Sequence, residues 1–251
     1  MKEEKILGVN VAVTNMNDTV KFIKNNIKDL SGKYICVSNV HTTVMSYDDP
    51  EYMNIQNSAV LRLPDGKPLS IVEKQRGHKE ADRVTGPDLM TELFKDSNLK
   101  HYFYGSSQKT LDTLKEKLTE KYPNIKISGM YSPPYRELTE EENKEVIKMI
   151  NESDSDIIWI GLGAPKQEKW MYNHQGQIKG LMIGVGAGFD FHAGNIKRAP
   201  KWMQKCALEW LYRLIQNPKK LFKRYMTTNF KFMKLVKQEN KDVKRKNSIS
   251  S

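Results

Sequence analysis

Six short apolar runs alternate along this chain with longer stretches of helical period. The runs are Tyr34 to Ser38, Ala59 to Leu63, His101 to Tyr104, Ile125 to Met130, Asp156 to Gly161 and Leu181 to Val185. They are continuous rather than alternating, so each reads as a strand buried on both faces. The stretches between them carry apolar residues at helical spacing, as with Leu111, Leu114 and Leu118 in the helix expected from Lys109 to Lys121. Strand–helix alternation of this kind predicts an α/β fold, a parallel sheet with helices on both faces.

The flanking elements follow from local signals. Lys5 to Thr14 reads as a strand or strand pair, and Asn17 as the cap of a helix to about Leu30. A helical stretch runs from His41 through Met45 toward Asn57, and Gly66 to Arg76 forms another. The polar turn Arg83 to Asp88 opens a helix from Leu89 to Phe94, and Pro165 begins a further one. Thr139 and Glu142 have capping-box spacing for a helix to Ile150. Gly186 to Gly194 reads as a glycine-rich loop. Arg198 to Asn217 reads as one helix, Pro218 interrupts it, and Phe222, Met226, Phe230 and Met233 mark a second amphipathic stretch. The polar end, 239–251, is expected to be disordered.

Charge divides the chain at about residue 194. Residues 195–251 hold 16 Lys and Arg against 3 acidic residues, a net of +13, while the rest holds 25 against 27, a net of −2. A near-neutral body (1–194) with a basic amphipathic appendage (195–251) predicts an anionic partner surface, membrane or nucleic acid. No apolar run approaches the length of about 18 residues that a membrane-spanning helix needs, and no signal peptide is visible behind Met1. Cys36 and Cys206 form no disulfide framework and read as buried thiols in a reducing compartment.

The strand ends carry the chemistry. Ser38-Asn39, Asp65-Gly66, Gly105-Ser106-Ser107 and Gly161 to Gln167 all follow apolar runs. In open α/β sheets ligands bind at that edge, where helix N-termini offer N–H groups to phosphate. Asp65 stands alone between a strand and a helix, either as a cap or as a group facing ligand. Arg83 suits a pyrophosphate or carboxylate clamp, because guanidinium binds such groups bidentately. Gln167 suits a sugar hydroxyl. His41 and His192 lie near loops, while His78, His101 and His174 read as surface groups; the five show no metal-ligand spacing. Asp154-Ser155-Asp156 precedes its strand and reads as a solvated loop. The glycine runs at Gly161 and Gly184 break the dinucleotide fingerprint, which weighs against a nucleotide-cofactor oxidoreductase. Aromatics among the cations of the appendage also suit nucleic acid, but the strand-end motifs favour an enzyme.

Taken in order, these motifs resemble one family. They are Pro64-Asp65-Gly66, Arg83 to Asp88, Gly161 to Glu168, Gly184 to Asp190, Arg198-Ala199-Pro200, Leu208 to Leu214 and Arg224-Tyr225. The family is the WecB/TagA/CpsF glycosyltransferases of bacterial cell-surface polysaccharide and teichoic acid synthesis. The resemblance implies a Rossmann-like core with a C-terminal helical appendage that completes the site at the membrane. It implies inverting transfer of an N-acetylmannosamine-like or related hexose from a UDP-sugar to a polyprenyl-diphosphate-linked sugar, with no metal or other cofactor. The protein would then be cytoplasmic and peripheral on the inner face of the plasma membrane, with a homo-oligomer left open and nucleic acid no partner. On this reading Asp65 is the general base. Arg83, Arg213 and Arg224 stabilise the leaving diphosphate. Asn39, Thr85 and Gln167 hold sugar or nucleotide, and His41, Gly105, Ser106, Gly163, Gly186 and Asp190 line the site.

Overall fold

The computed structural model describes residues 1–206 and 208–249; the side chains of Lys201, Lys205, Lys220, Lys223 and Arg224, and those of 242–249, lie outside that description. An N-terminal hairpin, β1 (Glu3–Ile6) and β2 (Val9–Ala12), stands apart from the main sheet. The main sheet contains β3 (Tyr34–Ser38), β4 (Leu61–Pro64), β5 (Lys100–Gly105), β6 (Lys126–Tyr131), β7 (Ile157–Gly161) and β8 (Leu181–Gly184). Their order is β4-β3-β8-β7-β5-β6, and every pairing is parallel. Side chains alternate between two cores. Ile35, Phe103, Ile157, Trp159 and Ile183 face one side; Tyr34, Tyr102, Ile158, Ile160 and Met182 face the other. The expected α/β architecture is thus realised.

Helices cover both faces. They are α1 (Met16–Asn26), α2 (Val40–Asp48), α3 (Pro50–Ser58), α4 (Lys67–Gln75), α5 (Gly86–Phe94), α6 (Gln108–Lys121), α7 (Glu140–Glu152) and α8 (Lys166–Asn173). The capping box predicted for α7 forms, with Thr139 and Glu142 bonding reciprocally. Other local readings need correction. Asn15, not Asn17, caps α1, because its side chain accepts from the Asp18 N–H at 3.0 Å. The long helix expected beyond His41 divides at Asp49, which is extended before Pro50 and caps α3. The glycine-rich loop holds a short helix, α9 (Gly188–Ala193), because Phe189 and Ala193 turn into the core. His78, His101 and His174 are buried, not surface groups, and Cys206 is exposed. His101 accepts from the Trp159 indole (3.2 Å), His174 bonds Asn143 (2.8 Å) and His78 meets Glu4 (2.9 Å).

The C-terminal segment is three helices, α10 (Lys201–Lys205), α11 (Glu209–Gln216) and α12 (Pro218–Ile249). The single helix expected up to Asn217 breaks because the Leu208 N–H reaches back to Met203 O (2.8 Å), closing α10, and Leu208 O then opens α11. The disorder expected from Glu239 onward gives way to helix through Ile249. Glu239 accepts from the Leu7 N–H (3.1 Å) and pairs with Arg76 (2.6 Å), while Asn240 accepts from Arg76 (2.9 Å). Phe232 and Val236 enter a third core with Ile6, Val44, Leu69 and Val72. Helix α12 is therefore packed against the hairpin, α2 and α4. Among the described residues no helix is long and apolar enough to cross a membrane.

Candidate active site

The carboxyl ends of β3, β4, β7 and β8 open into one cavity of about 1460 Å³. Pockets for one small ligand measure roughly 300–1,000 Å³, so this one has room for two substrates. One end is polar, floored by Asn39, Asp65, Gly161 to Gly163 and Gly184 to Gly188. The other runs between α4 and α12, past Ile71, Tyr225, Met226, Phe230 and Met233.

Asp65 follows β4 and sits at the polar end. Its N–H donates to Ser38 O at 2.7 Å, which ties it to the end of the neighbouring strand. It does not cap α4: the N-cap is Gly66, with no side-chain bond. Cavity walls strip water from the carboxyl although the residue keeps some open surface. That desolvation, reinforced by the Glu209 carboxylate, pushes its pKa up to about 6. Arg213, the Asn39 side chain and Arg83 pull the other way. Asn39 is held by its own cap. Its Oδ1 accepts from the His41 and Thr42 N–H groups (3.0 and 3.2 Å), which leaves its amide N–H for Asp65.

Among the described residues four helices start at the cavity without a side-chain cap. They are α4 at Gly66, α8 at Pro165, α9 at Ala187 and α11 at Leu208. Helices α1, α2, α3, α5, α6 and α7 all have one. Uncapped N–H groups with the positive end of the helix dipole favour an anion.

Of the residues singled out in the sequence, Asn39, His41, Asp65, Arg83, Thr85, Gly163, Gln167, Gly186, Asp190 and Arg213 do line this cavity. Gly105 and Ser106 do not. The sheet order carries β5 and β6 to the far side of β7, and Gly105 serves packing: a Cβ there would meet Gly161 backbone at 2.7 Å, at φ +119°. Gly163, at φ +77° with open space around it, is free to let a ligand approach. Thr85 is occupied as the α5 cap, donating to Asp88 at 2.7 Å. Asp190 holds Asn195 (3.0 Å), and His192 bonds Pro87 O (3.0 Å). The side chain of Arg224 lies outside the described residues. Asp154 and Asp156 sit at the opposite edge, on the Lys100 side chain (2.5 Å) and its N–H (2.8 Å).

Arg83 binds protein rather than open space. Its guanidinium donates to Glu209 (2.7 Å) and Gln204 (2.6 Å), both on the C-terminal segment. Arg198 joins the same carboxylate at 3.8 Å and Asp88 at 3.0 Å. The guanidinium groups of Arg198 and Arg213 both lie over the Phe191 ring, 5.3 and 5.6 Å from its centre. Arg83→Ala should therefore loosen α10 and α11, seen as several-fold faster tryptic cleavage between Lys201 and Arg213. Cleavage at the wild-type rate would leave Arg83 free for another role.

The family model for the WecG/TagA/CpsF glycosyltransferases matches residues 4–246. The chain belongs to this family. It is a glycosyltransferase, and the oxidoreductase and nucleic-acid readings give way to that assignment. It is 31% identical over 223 residues to the N-acetylglucosaminyldiphosphoundecaprenol N-acetyl-beta-D-mannosaminyltransferase of Bacillus subtilis (strain 168), covering 87% of this chain and 85% of the relative. A Bacillus spizizenii protein of the same name is 31% identical over 191 residues, with 74% and 72% covered. One from Staphylococcus aureus (strain MW2) is 28% identical over 222 residues, with 86% and 85% covered.

The glycosyltransferase site includes residues the sequence left without a role. Glu209, Gln204 and Phe191 have no local signal, since their partners lie far along the chain. Leu208 to Leu214 carries part of the family resemblance, but the spacing of that run does not assign Glu209 to Arg83.

Proposed function

We propose that this enzyme transfers an N-acetylmannosamine-like sugar, with inversion, from a UDP-sugar to a hydroxyl of a polyprenyl-diphosphate-linked sugar. The carrying observation is the two-ended cavity: a raised carboxyl among N–H groups and cations at one end, an apolar passage at the other. The acceptor hydroxyl attacks the anomeric carbon opposite the bond to UDP. As the new C–O bond forms, Asp65 takes the hydroxyl proton and the UDP diphosphate leaves with the electron pair of the broken bond. The first turns of α4 and α8 and the Arg213 guanidinium are suited to hold the charge that builds there. No step in this reading requires a metal ion. The passage between α4 and α12 suits the prenyl chain, because Ile71, Met226, Phe230 and Met233 line it. The names of the relatives pair an N-acetylmannosaminyl group with an acceptor of N-acetylglucosamine on diphosphoundecaprenol, which supports the transferred sugar and the acceptor class.

The exposed apolar residues Trp202, Ile215, Phe222 and Phe230, set among the cations of the C-terminal segment, suit shallow insertion into an anionic leaflet. The enzyme would then work at the cytoplasmic membrane surface. The test is a panel of UDP-sugars with a short-chain prenyl-diphosphate-linked N-acetylglucosamine, read by mass spectrometry with and without EDTA. A product heavier by one N-acetylhexosamine, formed at the same rate with EDTA, is expected. No product with any UDP-sugar would overturn the donor class. Inhibition by EDTA that Mg²⁺ or Mn²⁺ reverses would overturn the metal-free half.

A further inference from the structure

Behind the cavity wall lies a buried chain of polar side chains that the transfer step does not use. It centres on Glu168, the third residue of α8, which is 0% exposed. One arm runs forward. The Gln167 amide N–H donates to Glu168 Oε1 at 2.8 Å, and Gln167 Oε1 accepts from the Gly186 N–H at 3.0 Å. The other arm runs back to the base. Asp65 N–H donates to Ser38 O, Ser38 Oγ donates to Gln56 Oε1 (2.8 Å), and the Gln56 amide donates to the Tyr52 hydroxyl (3.0 Å). Tyr52 lies against the Glu168 carboxylate, whose Oε2 has no partner at hydrogen-bond distance. Ser38, Tyr52, Gln56, Gln167 and Glu168 are all buried.

The donor directions give the chain a sense. A side-chain amide presents a donor at one end and an acceptor at the other, and nothing in its shape distinguishes the two. Gln167 must turn its oxygen toward Gly186, since a backbone N–H can only donate. Its nitrogen then needs an acceptor on the other side, in a place closed to water. Glu168 is that acceptor. An apolar side chain there would leave the Gln167 amide free to rotate and the Gly186 N–H without its oxygen. Gly186 sits at φ +51° in the turn that leads from β8 into α9, and the turn forms the cavity wall. Burial raises the Glu168 pKa, and the bond from Gln167 opposes that only in part.

We propose that Glu168 is a positioning residue of the transferase site: as the buried acceptor behind Gln167, it fixes the Gln167 amide and, through it, the Gly186 turn that walls the donor end of the cavity. Its kinetic test rests on the UDP-sugar reading; its exchange test needs no substrate, so failure of one is distinguishable from failure of the other. Glu168→Met keeps much of the volume and removes the acceptor, and Glu168→Gln keeps an acceptor oxygen. Relative to wild type, kcat/KM for the UDP-sugar is expected to fall about tenfold in Glu168→Met, the size of one lost buried hydrogen bond. It should largely recover in Glu168→Gln. In a Gln167→Ala background Glu168→Met should cost nothing further, because its route of action is already gone. An equal loss in both backgrounds, or wild-type kinetics in a folded Glu168→Met, would overturn the proposal. On the wild-type protein, slow hydrogen exchange is expected at both the Gly186 amide and the Gln167 side-chain amide. Rapid exchange at either one overturns it whatever the variants do.

Discussion

Asp65→Asn should bind nucleotide and melt at or above the wild-type temperature, yet turn over about 100-fold or more slower, the usual loss for a missing general base. The fold should tolerate the change because the Asp65 side chain caps no helix. Its structural bond, from its N–H to Ser38 O, belongs to the backbone and survives substitution. A carboxyl lifted to about 6 also sets a pH dependence. The base works ionised, so kcat/KM should be level above that pKa and fall about tenfold per pH unit below it. Glu209→Gln removes the negative neighbour that helps raise Asp65, so the acidic limb should move to lower pH. Pre-steady-state turnover and a pH series on both variants check this. A fully active Asp65→Asn, or a profile flat from pH 5 to 8, would place the base elsewhere.

The strand ends were legible because each marks a change in physical demand. Tyr34 to Ser38 is apolar until Asn39, where the chain leaves the sheet and needs a cap, and the observed strand has those bounds. Asp65 was readable for the same reason. Strand order was not readable. Gly105-Ser106 resembles the other strand ends residue by residue, but β5 and β6 lie beyond β7, out of reach of the cavity. Arg83 shows the second limit. A local motif marks it as important, while its partners Gln204 and Glu209 are brought to it only by tertiary folding. The amphipathic period of the last helix was visible, but Phe232 and Val236 pair with Val44 and Leu69 across the fold. Polar composition alone therefore suggested a loose end where Glu239 in fact holds Leu7 and Arg76.

Deleting residues 199–251 should abolish transfer and vesicle binding together while nucleotide binding at the sheet edge persists. The deletion removes Arg213 and Glu209 from the surroundings of Asp65 and one whole wall of the apolar passage. Loss of a preorganised cation at a leaving group alone costs on the order of 100-fold. The acceptor would also lose the surface that suits its prenyl chain. Vesicle binding should go because the deleted segment holds 14 Lys and Arg against 3 acidic residues, a net of +11, while residues 1–198 balance at 27 against 27, and each cation near an anionic leaflet contributes about 1 kcal/mol. For the intact protein this binding should weaken between low and high salt, since exposed charges are screened over about 10 Å at 0.1 M. The truncated body will not be inert. Phe232 and Val236 cover Ile6, Val44, Leu69 and Val72, and each buried side chain of this kind contributes roughly 1.5–3 kcal/mol. Uncovering that patch should lower the melting temperature and promote self-association, so the truncation needs a companion that leaves the core intact. Phe222→Ser with Phe230→Ser alters two exposed residues of α12 and should reduce sedimentation with anionic vesicles without lowering the melting temperature. Full transfer by the truncated protein, or equal sedimentation of the intact one with anionic and neutral vesicles, would leave the C-terminal helices a packing element with no part in the reaction.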